Sequence, residues 1–180
     1  MKYTIQNTTE RFQKKEKLKF LFFWGHTGKN EITKSCFSQW FPMRFQEEGV
    51  VYHTAEHYMM VGKARLFNDQ ESLEKIRQSV SPSQAKSLGR KVKNFDPKIW
   101  DEHKYDLVKK GNFLKFSQNT KCKDFLLSTG DKILVEASPY DRIWGIGMLE
   151  TDTRAENPLL WNGENLLGFA LMEVRDELRK

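Results

Sequence analysis

Cysteine is nearly absent from this chain. Cys36 and Cys122 are too few and too isolated to build a disulfide framework or a structural zinc site. Long apolar runs are missing as well: Leu18 to Trp24 is far too short to span a bilayer. Residues Met1 to Phe12 are polar and lack the apolar stretch of a secretory signal, so the expected location is the cytoplasm, with no membrane partner. No P-loop, dinucleotide fingerprint, Ser/His/Asp set or Cys/His set occurs. Repeats, low-complexity tracts and linkers are absent too. A chain of 180 residues without them reads as one domain, large enough to bury its own core.

Basic and aromatic residues are what the chain has in plenty. The 30 Lys and Arg exceed the 24 Asp and Glu, a formal charge of +6, and they gather at Lys14–Lys19, Lys86–Lys93 and Lys98–Lys123. Such an excess suits an anionic partner, either a phosphorylated metabolite or nucleic acid, and equally suits a plain basic surface. Thirteen Phe and five Trp are available for a core or for stacking.

Residues 1–17 are weakly patterned and read as a loose arm or an early edge element, leaving 18–180 as the domain proper. Phe20 to Trp24 and Ile133 to Val135 read as buried strands, and Phe37 to Phe45 with Val50 to Tyr52 as a hairpin turning at Gly49. Residues 25–35 form a polar loop. Cap signals place helices from Thr54 to about Leu66, over 71–78, from Ser81-Pro82 to Gly89, from Asp96-Pro97 to about 117, and over 121–128. A last helix begins after Asn165, read as its cap. The irregular stretch 137–164 carries Ile143, Trp144 and Trp161 and suits an ordered functional loop. The fold class expected is α+β, a single compact, mostly helical domain with a small β-sheet.

Within the first of these helices, Glu56 and Lys63 stand seven residues apart on an otherwise apolar, amphipathic segment. Two helical turns bring them to one face, about 10 Å apart along the axis. A carboxylate in an apolar setting can act as acid or base, and a desolvated amine as nucleophile or phosphate holder. A solvated pair on the helix's wet face is the plain alternative. The same segment, His53-Thr54-Ala55-Glu56-His57, also fits an H-x-x-E-H zinc peptidase pattern, with Glu136 as a distant third ligand. An N-cap at Thr54 would put His53 outside the helix and spoil that geometry. Farther along, Asp141-Arg142-Ile143-Trp144-Gly145-Ile146-Gly147 offers a second carboxylate, a stacking surface and glycines for close backbone approach. Its alternative is a structural turn around a core Trp. Trp100 on the long helix reads as core or as a ligand platform.

Together these segments resemble the NADAR family of YbiA-like N-glycosidases. The resemblance rests on Phe23-Trp24, Phe37-Ser38-Gln39-Trp40-Phe41-Pro42, Thr54-Ala55-Glu56-His57-Tyr58, Lys63, Trp100, Asp141-Arg142-Ile143-Trp144-Gly145 and Asn165-Leu166-Leu167-Gly168-Phe169-Ala170-Leu171-Met172, in the family's order. It implies cleavage of a ribose C1–N bond, in one of two substrates. One is ADP-ribose on the guanine amino group, which makes ADP-ribosylated nucleic acid a possible partner. The other is a phosphoribosylamino-pyrimidine intermediate of riboflavin synthesis. It implies catalytic roles for Glu56, Lys63 and Asp141, substrate contacts at Trp24, Ser38, Trp100, Trp144, Gly145 and Asn165, and no metal or cofactor. The chain would act as a monomer or as an oligomer of unspecified order. A non-enzymatic module binding ADP-ribose or nucleic acid is the competing class. Cleavage itself can run through an oxocarbenium-like state or through ring opening and a Lys Schiff base.

Overall fold

A computed structural model describes residues 1–26 and 32–180. Part of the polar loop read over 25–35, residues 27–31, lies outside the described residues. The fold class is α+β and mostly helical. Among the described residues there are seven α-helices and four short strands, which pair as two separate two-stranded ladders rather than one sheet. The chain divides into two units, residues 39–120 and residues 1–38 with 121–180.

The 39–120 unit starts with a hairpin, β2 (Phe45–Glu47) against β3 (Val50–Tyr52). Its two-residue turn, Glu48-Gly49, has positive φ at both positions, 50° and 77°, the mirror-image turn that matches strand twist. Four helices follow: α2 (Ala55–Leu66), α3 (Gln70–Arg77), α4 (Pro82–Gly89) and α5 (Pro97–Ser117). Each is capped at its start by an oxygen-bearing side chain, from Thr54, Asp69, Ser81 and Asp96. Helix α2 is the hub, packed by α3, α4 and α5. Small residues allow the close approach. A Cβ on Gly111 would lie 2.6 Å from the Tyr58 ring, one on Gly62 2.5 Å from Leu107, and one on Gly89 2.0 Å from Met60.

This crowding overturns the amphipathic reading of α2. Every residue from Ala55 to Val61 is buried, so the first two turns have no wet face. The sequence of α5 suggests an apolar stripe of Trp100, Leu107, Val108, Gly111 and Leu114, but of these only Val108 and Gly111 are buried, together with Lys104, Tyr105, Asn112, Lys115 and Phe116.

In the other unit, β1 (Phe20–Phe23) pairs in parallel with β4 (Ile133–Glu136), Phe20 opposite Ile133. Helix α7 (Leu166–Leu178) covers β4, and α6 (Thr120–Ser128) precedes it in the chain. Phe37 belongs to a short 3-10 turn, Lys34–Phe37, rather than to the hairpin, and packs edge-on against Phe23 at 5.4 Å. Residues 1–17 are not a loose arm throughout: they carry α1 (Ile5–Gln13). The reason is local and tertiary together. Thr4 and Asn7 form a reciprocal capping box, while the Lys2 backbone N–H donates to Glu173 (2.7 Å) and the Tyr3 hydroxyl to Asp176 (2.7 Å) on α7.

Candidate active site

Glu56 and Lys63 both lie on α2, in register for one face, and differ in exposure. Glu56 is 3% exposed in the first turn, where its backbone N–H donates to the Gln39 carbonyl (2.9 Å). That burial removes the reading of a solvated pair. Lys63 is half-buried near the other end. Its Nζ stands 4.1 Å from the centroid of the Phe95 ring and 5.5 Å from that of Trp100. Burial alone lowers its pKa from the ordinary lysine value, and no charged neighbour contributes to the shift. Glu56, Lys63 and Trp100 thus belong to one helical unit, with Lys63 and Trp100 in contact. Phe95 was not read from the sequence as a site residue. A signal for it existed: Asp96 caps α5, so Phe95 and Trp100 occupy the positions that flank a helix start as a hydrophobic staple.

The remaining site residues belong to the other unit, on the loops after β1 and β4. Asp141 organises its own loop: Oδ1 accepts from the Ile143 (2.9 Å) and Trp144 (2.8 Å) backbone N–H groups. Its carbonyl accepts from Gly147, whose φ of 68° suits glycine. Gly145 is buried where a Cβ would meet the Glu136 carbonyl at 2.7 Å. Trp144 is partly buried, and its carbonyl accepts from Leu167 (3.1 Å). Trp24 is 49% exposed and lies 6.2 Å, ring to ring, from Tyr140. Ser38 ends the 3-10 turn, its N–H donating to the Ser35 carbonyl (3.1 Å).

Asn165 has a different place from the one read for it. It precedes α7 in the left-handed region, φ 55°, and its side chain makes no cap bond. Instead the amide lies along the free edge of β4, accepting from the Glu136 N–H (2.9 Å) and donating to the Leu134 carbonyl (2.9 Å). It takes the two backbone groups of β4 that a neighbouring strand residue would take. The side chain is fully buried and both amide atoms are engaged, so Asn165 frames the 141–147 loop.

The zinc pattern dissolves on geometry. Thr54 is the N-cap, which leaves His53 outside α2. His57 is buried with both ring nitrogens committed: Nε2–H donates to the Ile76 carbonyl (2.9 Å), and Nδ1 accepts from the His53 N–H (3.3 Å). No lone pair is left for a metal. Burial, only partly offset by the bond to Ile76, holds the His57 pKa below 6.5. The folded protein therefore keeps a neutral ring that the unfolded chain protonates as pH falls through about 6.5. Stability contributed by His57 is present above that pH and lost below it. In a His57→Gln variant, whose amide N–H can still reach the Ile76 carbonyl, thermal melts between pH 7 and 5 should show a shallower fall in Tm. Equal slopes for the two proteins would refute this assignment.

Comparisons with known proteins show the family. The NADAR domain matches residues 22–179. The chain is 47% identical over 164 residues to an N-glycosidase of Acanthamoeba polyphaga mimivirus, covering 88% of this chain and 96% of that protein. It is 32% identical over 144 residues to N-glycosidase YbiA of Escherichia coli, covering 80% and 79% respectively. The NMR structure of E. coli YbiA superposes with a TM-score of 0.72 at 28% identity, over 89% of this chain and 85% of that one. On a match spanning nearly the whole chain, this protein belongs to the NADAR family.

Proposed function

We propose that this N-glycosidase hydrolyses the bond between ribose C1 and an exocyclic nitrogen in a phosphorylated ribosyl-amino compound, with Glu56 and Lys63 as its catalytic pair. The observation that carries the proposal is Lys63. Its neighbours are aromatic rings rather than carboxylates, and burial favours the neutral amine, the nucleophilic form. Electron push from the exocyclic nitrogen opens the sugar to an imine. The Lys63 amine then adds to C1, and the C1–N bond to the base breaks as the leaving nitrogen takes up a proton. That leaves a Lys63–C1 Schiff base. Water adds to the same carbon, releasing the sugar and restoring the amine. Glu56, buried on the same helix, is proposed to deliver and recover the proton.

Asp141, with Oδ1 committed to its loop, is proposed as a second carboxylate acting through Oδ2. Trp24, Ser38, Trp100, Trp144 and Gly145 are proposed substrate contacts. Two substrates fit the chemistry: ADP-ribose on the guanine amino group of an oligonucleotide, and a phosphoribosylamino-pyrimidine. One assay offering both should show release of the free base from at least one. Glu56→Gln should slow that release by roughly 10²- to 10⁴-fold. Binding of either compound without turnover by the wild type would replace the enzyme reading with a binding module.

A further inference from the structure

The start of α5 holds an aromatic arrangement that neither the family match nor the catalytic pair explains. Phe95 and Trp100 occupy the staple positions before and within the first turn, and staple residues ordinarily pack on each other or on the core. Here a lysine ammonium from another helix lies over both rings, nearer to Phe95. Phe95 is itself aimed by its surroundings. The preceding Asn94 adopts φ 57°, Asp96 locks the following turn through Lys98 and Ile99, and the Phe67 ring meets Phe95 edge-on at 5.2 Å. Yet Phe95 remains 44% exposed, so core packing does not account for the position.

We propose that Phe95 is a positioning residue for Lys63, holding the protonated amine against its ring face and thereby setting the pH at which the free amine becomes available. This rests on Lys63 being the reacting amine. An aromatic face attracts an ammonium through its quadrupole and does little for a neutral amine, so the ring opposes the effect of burial. Several charged groups on the helices around α2 have partners of their own, and none of the others contributes to the Lys63 shift. Glu71 pairs with Lys75 and Lys93, and Glu74 with Arg77, on α3; Lys86 lies over Trp40 on α4; Asp101 pairs with Lys104, and Lys110 with Glu47, on α5. On α2 itself Glu56 is buried in the first turn and Arg65 is exposed, and neither contributes to the Lys63 shift.

The test keeps the ring's shape and changes its charge distribution. Phenylalanine at 95 is replaced by its mono-, tri- and pentafluoro analogues in the full chain. Two quantities are followed: the Lys63 titration by NMR of labelled lysine, and the acid limb of kcat/KM on whichever compound above turns over. Both midpoints should move together to lower pH, by about half a unit or more at full fluorination. If neither moves, Phe95 does not position Lys63, and the Lys63 reading stands or falls separately on Lys63→Ala. If the NMR midpoint moves while the rate profile stays, the contact is real but Lys63 is not the reacting amine. That result overturns the positioning role by way of the catalytic assignment.

Discussion

Replacing Lys63 with alanine is expected to lower turnover on the order of 10³-fold, about 4 kcal/mol of transition-state stabilisation, while leaving the fold intact. The expectation follows from what holds the amine. Lys63 rests on Phe95 and Trp100, and burial disfavours its charged form, so removing it costs packing of a stem and little electrostatic stability. Thermal melts of Lys63→Ala and wild type should therefore lie within a few degrees of each other. Borohydride added during turnover should trap a covalent sugar adduct on the wild type and none on the variant. Lys63→Arg is the sharper comparison. A guanidinium can keep the charge and the aromatic contacts but cannot form a Schiff base, so it should be as inactive as alanine. Arginine activity near the wild-type level would mean that position 63 needs only positive charge, and the oxocarbenium route would then replace the Schiff base.

The pH dependence carries the same sign. With the neutral amine as the proposed reactive form, the rate should rise with pH through a Lys63 pKa that burial lowers from the ordinary lysine value.

Much of this layout was legible in the sequence because its signals are local. Ser81-Pro82 and Asp96-Pro97 mark helix starts through cap oxygens and a proline ring, and α4 and α5 begin there. Thr54 caps α2 as read, and that one position takes His53 out of the helix and breaks the zinc pattern. What was not legible depends on neighbours distant in the chain. Helix α2 looked amphipathic because Glu56 and Lys63 are charged, yet α3, α4 and α5 surround it and bury its first two turns. Asn165 looked like a cap because Asn before a helix usually is one. Its side chain was instead needed by β4, whose outer edge has no strand partner among the described residues. Tyr105, Asn112, Lys115 and Phe116 on α5 were missed for a related reason, since polar side chains within the buried face disguise its period. Phe95 fell in a loop by composition, and only its place before the Asp96 cap distinguished it.

The edge of β4 also sets the largest stability effect to expect. A Cβ on Gly168 would stand 2.1 Å from the Leu134 carbonyl and 2.6 Å from both polar atoms of the Asn165 amide. These are the atoms of the hydrogen bond that ties α7 to β4, so relief is not available from a flexible side-chain tip. Gly168→Ala must push the helix off the strand or break the Asn165 clamp, leaving a buried carbonyl and N–H without partners. Either outcome should cost about 3–5 kcal/mol, or a fall in Tm of roughly 10 °C for a chain of this size. Gly130 supplies the control. Its φ of 58° strains an alanine, but nothing lies within 4 Å of the added Cβ, so only the backbone cost of about 1–2 kcal/mol remains. Gly168 is helical with no positive φ, so alanine carries no backbone strain there, and if the two variants melted together the Cβ at 168 would have been accommodated at little cost. The Asn165 amide would then be a passenger on β4 rather than the tie that seats the Asp141 loop against the strand.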